Sequence, residues 1–151
     1  MPVNRAHIGR AVRSSTPIEI TRGDIRRFAA AIGDGNPLYL DADAARAKGY
    51  RDVLAPPTFL ITVAGSTGPG LLSDPALGLN FSLVVHGQQG FTLHLPVCAG
   101  DVLESETRID DVRDAGRNEL ICLITEFTSA GSPVATLTNT IVSRGTAAGA
   151  T

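Results

Sequence analysis

Residues 55–66, "APPTFLITVAGS", constrain this chain more than any other stretch. Phe59, Leu60, Ile61, Val63 and Ala64 place apolar side chains on every face of a helix, and the two prolines at its entrance suit a helix N-terminus. A helix with no polar face must be wrapped by the rest of the fold. From about residue 81 the hydrophobic period changes from 3.6 to 2, which supplies the wrapping. "FSLVVHGQQGFTLHLPV" sets Phe81, Leu83, Val85, Phe91, Leu93 and Leu95 on one face, and His86, Gln88, Thr92 and His94 on the other. "DVLESETRIDDV" is a strand with a polar face, "RDAGR" a hairpin turn, and "NELICLITEFTS" is apolar on both faces at its centre, as a central strand is. "AGSP" turns again and "VATLTNTIVS" completes the meander. Successive hairpins give antiparallel pairing. The fold class that follows is α+β: an antiparallel sheet around a central buried helix spanning about Pro57 to Ala64, the architecture called a hotdog.

The segment before that helix is built of short elements. Thr16 to Thr21 alternates as a strand, and Thr21 with Asp24 reads as a helix start. Ile25, Phe28, Ala29 and Ile32 fall on one helical face, and Gly33 stops the helix. A second helix, "DADAARAKG", is capped by Asp41, closed by Lys48 and stopped by Gly49. Between the two lies a dense loop holding Asp34, Asn36, Pro37 and Tyr39. Ser66 to Asn80 is a Gly/Pro-rich connection of the length used for lids and site walls. The 151 residues read as one domain with a flexible tail from about residue 144.

Composition excludes several classes of function. A net charge of −2 and the absence of Trp argue against a nucleic-acid partner. No stretch approaches the ~20 apolar residues of a membrane span. Cys98 and Cys122 sit in apolar runs without a CxxC pattern and read as buried free thiols of a reducing compartment. The basic N-terminus lacks an apolar core, which excludes a secretory signal and predicts a cytoplasmic protein. Three scattered histidines predict no metal site, and no phosphate-loop or dinucleotide fingerprint is present, so no cofactor is expected.

"FAAAIGDGNPLYLDADAARAKGYRDVLAPPTF" resembles the motif of the MaoC-like hydratase/dehydratase family, Gly-Asp-x-Asn-Pro-Leu-His followed by an acid-rich helix ending in Gly. "GFTLHLPVCAGDVLES" is similar to the family's strand leading into Pro-Val and a Gly-Asp turn. Together they cover about Ile8 to Ser143. "NPLY", "APPTF" and "HGQQ" (His86 to Gln89) are most similar to the branch known as the MaoC dehydratase N-terminal domain. That branch includes non-catalytic subunits of mycobacterial 3-hydroxyacyl carrier-protein dehydratases. The resemblance implies reversible addition of water to an enoyl thioester carried on CoA or an acyl carrier protein. An Asp and a His grip one water; backbone N–H groups at the central helix polarise the carbonyl. It also implies a homodimer, or a heterodimer with a second hotdog subunit.

Residue by residue, Asp34 matches the family Asp, and Asn36 and Pro37 match the residues that shape the loop. Tyr39 stands at the family's His. A phenol near pKa ~10 is a poor base at neutral pH where an imidazole near ~6.5 is suited. Thr58-Phe59 replaces a His-Gly pair, and a Phe does not give a ligand the backbone access that Gly gives. His86 is a further candidate base, and Asn36, Pro57, Thr58, Phe59, Gly87 and Gln88 are the candidate substrate contacts. Each has a plainer reading: Asp34 as a turn cap, Tyr39 as a packing residue, His86 as a solvated or interface histidine, and Asp101 after Gly100 as a turn residue. His94 shares the polar strand face with less promise, and His7 reads as surface. Three functions compete: a hydratase/dehydratase subunit that needs a partner carrying the Asp/His pair, a self-sufficient homodimer with a rearranged base, and a non-catalytic thioester-binding module. A hotdog thioesterase needs an acidic residue at the central helix, which "APPTFLITVAGS" lacks.

Overall fold

A computed structural model describes residues 1–64 and 70–148. Gly65 and Ser66 at the end of the predicted central helix, and Thr67 to Pro69 of the connection, lie outside the described residues. Six strands form the antiparallel sheet: β1 (Ala11–Arg13), β2 (Ile18–Glu19), β3 (Val84–Leu93), β4 (Val102–Ala115), β5 (Asn118–Ser129) and β6 (Ser132–Ser143). Their order is β1-β4-β5-β6-β3, with β2 also pairing β4. This is the α+β hotdog arrangement, and β5 is central as its two-sided apolar pattern requires. β1, which composition alone did not suggest, pairs antiparallel with β4 from Ala11↔Arg108 to Arg13↔Glu106.

Local chemistry sets the helix ends. The Thr21 side chain accepts from the Asp24 N–H and starts α1 (Arg22–Ala31), and Gly33 at φ 69° turns the chain out. Ile25 and Ala29 are fully buried, but Ile32 is 50% exposed because it caps the helix rather than continuing its apolar stripe. Asn36 caps an additional short helix, α2 (Pro37–Leu40), and Asp41 caps α3 (Ala42–Ala47) through the N–H groups of Asp43 and Ala44.

The central segment is a turn over residues 57–60 followed by α4 (Ile61–Ala64). Phe59 and Leu60 are each 1% exposed, at the heart of a core with Ile20, Ile25, Val53, Leu103, Phe127 and Leu137. Ile61 and Ala64 are only half-buried, because they border a cavity instead of packing against the sheet.

The expected alternation along β3 is broken by one residue. The pairing with β6 slips between His86 and Gln88, so Gly87 is a bulge. Phe91 and Gln89 face Leu137 and Asn139, whereas beyond the bulge His86, not Val85, faces Ile141. His86 and Gln88 therefore stand on opposite faces, and Val85 stands outside with 42% exposure. Phe81 and Leu83 belong to a 3₁₀ turn ahead of the strand, not to it.

Two terminal expectations are corrected. His7 is 5% exposed, its Nε2 3.4 Å from Asp74 Oδ2, because residues 1–10 strap across the sheet and Val3 donates to the buried Glu119 carboxylate at 2.9 Å. The tail is docked as far as residue 147, where Thr146 and Ala147 are buried and the Ala147 N–H donates to the Arg117 carbonyl at 3.2 Å; its residues 149–151 lie outside the described residues.

Candidate active site

The dense loop is held by its own polar atoms. The Asp34 N–H donates to the Ala29 carbonyl at 2.9 Å. Asp34 Oδ1 accepts the Asn36 N–H at 3.0 Å, and Asn36 Oδ1 accepts the Leu38 N–H at 3.0 Å. Pro37 at the first helical position leaves no N–H unmet there. This ladder of side-chain caps delivers Tyr39 inward, 7% exposed, while Asp34 stays exposed.

Tyr39 lines a cavity of about 300 Å³ together with Tyr50, Pro57, Leu60, Leu93 and His94. Asp34 does not line it. Pro57 and Thr58 are exposed at the start of the central turn, but the Phe59 ring turns away into the core, where it meets Phe28 edge to face. The Phe59 backbone N–H is already given to the Pro56 carbonyl at 2.9 Å. The ring thus does not crowd the site from Phe59, as the sequence suggested; it holds the turn from beneath.

On the other side of α4 a second cavity of about 460 Å³ opens between Ile61, Ala64, Leu71 and the inward face of the sheet. His86 and Gln89 line it, but Gln88 and Gly87 do not. His86 Nε2 donates to the Gln88 carbonyl at 3.2 Å, which leaves Nδ1 as the basic nitrogen of the neutral ring. Gln89 and Asn139, register partners, both bury a side-chain carbonyl oxygen without a partner. Sequence reading passed over Gln89 and Asn139; the doubled Gln after the bulge glycine was the only signal for the first. His94, on the rim of the smaller cavity, sits 3.1 Å from Thr136 Oγ1.

Charge frames this face. Asp52 accepts Arg22 Nε and Nη2, each at 2.7 Å, and Arg46 Nη2 at 3.1 Å, joining α1 to α3. The Arg22 hydrogen bonds hold the Asp52 carboxyl well below the usual carboxylate range. Arg51 reaches Asp101 at 2.7 Å, and Asp101 Oδ2 accepts the Cys98 N–H at 2.9 Å, which fixes the turn at Gly100. Among the described residues no His/Cys/Asp/Glu group could hold a metal ion, and no helix is long and apolar enough to cross a membrane.

Residues 6–137 match the family described as FAS1-like, dehydratase domain region. The chain belongs to this family of MaoC-like hotdog proteins. A relative in it, a UPF0336 protein of Parafrankia sp. (strain EAN1pec), is 51% identical over 149 residues, covering 97% of this chain and 98% of the relative. Among solved structures, a MaoC-like dehydratase superposes with a TM-score of 0.86 at 30% identity, over 92% of this chain and 42% of that one. This MaoC-like chain therefore spans less than half of that protein. The C-terminally truncated HadBC (3R-hydroxyacyl-ACP dehydratase) complex from Mycobacterium tuberculosis gives a TM-score of 0.77 at 25% identity, over 88% of this chain and 94% of that one. The hotdog of this family is thus shared with dehydratases, in a longer chain and in a complex.

Proposed function

We propose that this protein is a subunit of an (R)-specific enoyl-thioester hydratase or 3-hydroxyacyl-thioester dehydratase, joined to a second hotdog that carries the Asp/His pair. The observation that carries the reading is Tyr39. The loop that presents a base in this family is intact, yet it delivers a buried phenol, and the Asp34 carboxylate is turned to solvent and engaged with the Asn36 N–H. Likeness to HadBC, a complex, supports a hotdog partner.

In this reading the partner's His takes a proton from water as the oxygen bonds to the β-carbon, and a proton is returned to the α-carbon; dehydration runs the same steps backwards. This chain contributes walls. Tyr39, Leu60 and Leu93 bound the apolar cavity that takes part of the acyl group, and burial there excludes bulk water from the reacting centre. Pro57 lines this cavity at the start of the central turn, and Gly87 lets β3 approach β6 closely.

The test is crotonyl-CoA hydration by the chain alone and with a co-purified hotdog subunit holding an intact Asp/Asn-Pro-Leu-His motif. Activity is expected only in the pair. A second reading rests on His86, whose basic nitrogen belongs to a ring lining the larger cavity. Activity of the chain alone that is abolished by His86→Ala would establish a homodimer with a rearranged base and overturn the first reading.

A further inference from the structure

The larger cavity, about 460 Å³, has the size of a small-molecule site. Ile61 and Ala64 of α4 bound one side, and Leu123 and Leu137 of the sheet the other. Polar groups interrupt this apolar wall. Gln89 of β3 and Asn139 of β6 are register partners, so their side chains stand on one face with Cβ atoms about 5 Å apart. Each buries a side-chain carbonyl oxygen that has no hydrogen-bond partner. Two carbonyl oxygens are both acceptors and do not satisfy each other. The Gln89 amide is also held in orientation: its Nε2 donates to the Gly90 carbonyl at 3.2 Å, which leaves Oε1 as the unmet end. The Thr107 and Thr125 hydroxyls, in the same wall, meet each other at 2.8 Å. His86 adds a third acceptor, since its Nε2 donates to the Gln88 carbonyl and Nδ1 is left basic.

A buried acceptor left without a donor carries the desolvation cost of that group. The unmet polar atoms here are acceptors, so the ligand that meets them brings a donor. That donor is uncharged, because among the described residues no Asp, Glu, Lys or Arg lines the cavity to balance a charge. The rest of the wall is mostly apolar, which suits hydrocarbon. We infer that the larger cavity binds a neutral, largely apolar molecule through a hydroxyl group, with Gln89 and Asn139 as the acceptors. These two residues take no part in proton transfer; they select a hydroxylated ligand over a plain alkyl one. A hydroxylated acyl chain on a thioester and a free fatty alcohol share this chemistry.

The experiment titrates the whole chain, with its hotdog partner where one co-purifies, and follows the side-chain amide resonances of Gln89 and Asn139. One arm compares 1-octanol with its methyl ether, which keeps the oxygen but has no proton to donate. The other compares 8-hydroxyoctanoyl-CoA with 8-methoxyoctanoyl-CoA. The hydroxyl compound is expected to bind about tenfold more tightly than its ether, the scale of one hydrogen bond to an otherwise unpaired group, and to shift both amide signals. Asn139→Leu and Gln89→Leu should each remove most of that preference without weakening the ether. A preference in the thioester arm supports the inference with the acyl chain as the source. A preference in the alcohol arm alone supports it with a free alcohol as the source and counts against the thioester reading. Equal binding of hydroxyl and ether by the wild type, or a preference untouched by both substitutions, overturns the inference and leaves the two oxygens to water. Absence of binding in both arms also overturns it, while the hydratase reading is judged separately by crotonyl-CoA hydration. If one leucine variant fails to fold, the other decides, and the wild-type comparison of hydroxyl with ether stands without either.

Discussion

The rings of Phe28 and Phe59 meet edge to face, with centroids 5.7 Å apart and planes at 86°, and so tie α1 to the turn that begins the central helix. Phe59 stands where the family resemblance implies Gly, and its ring is 1% exposed in the core. Phe59→Ala should cost ~3–5 kcal/mol and Leu60→Ala ~2–5 kcal/mol, read from urea midpoints. Grafting the family residues as Tyr39→His, Thr58→His and Phe59→Gly together should therefore fail in stability before it gains activity. Tyr39→His alone should keep more of the fold than the triple change. A triple variant as stable as wild type would show that the Phe28–Phe59 contact is dispensable.

β3 is the long open edge of the sheet, and Phe81, Val85, Leu93 and Leu95 on or beside it are 42–56% exposed. An unpaired ten-residue edge flanked by large apolar side chains is a pairing surface. Light scattering at micromolar concentration should give twice 15.7 kDa for the chain alone, or a heterodimer mass with its partner. A stable monomer in both conditions contradicts this.

Asp52 makes the α1–α3 junction sensitive to acid. Its folded-state pKa is depressed, first by the Arg22 hydrogen bonds, so its contribution is present above the unfolded value of about 4 and is lost as pH falls toward the folded value. The stability difference between Asp52→Asn and wild type should therefore be large at pH 7 and shrink at pH 3, as followed by thermal denaturation. A difference independent of pH would locate the effect elsewhere.

Gly87 is fixed by close approach and not by a left-handed backbone. A Cβ there would lie 3.0 Å from Val142 Cγ2 and 3.1 Å from the Thr140 carbonyl oxygen. Gly87→Ala should cost ~1–3 kcal/mol as β3 is pushed from β6, and it should disturb His86 and Gln89 on either side of the bulge. Backbone amide shifts in a nuclear magnetic resonance spectrum confined to residue 87 itself would argue against that coupling.

What the sequence determined by itself is whatever depends on a few neighbouring residues. Thr21, Asn36 and Asp41 cap their own helices, Gly33 ends α1, and the two-sided apolar run of β5 requires a central strand. The loop from Asp34 to Tyr39 was likewise legible, since Asp34 and Asn36 cap it through N–H groups two residues on. Tertiary structure alone decided where those side chains point. One bulge residue at Gly87 moves His86 to the inner face and Val85 to the outer one, because side chains alternate with period two and a slip of one residue exchanges the faces. His7 and the tail at Thr146 and Ala147 are buried by segments more than 25 residues away in sequence, and no local pattern encodes such contacts. Phe59 could be read from sequence as an obstacle in the site or as core; only packing against Phe28 decides it, since a ring this large is stabilised most where it is fully removed from water.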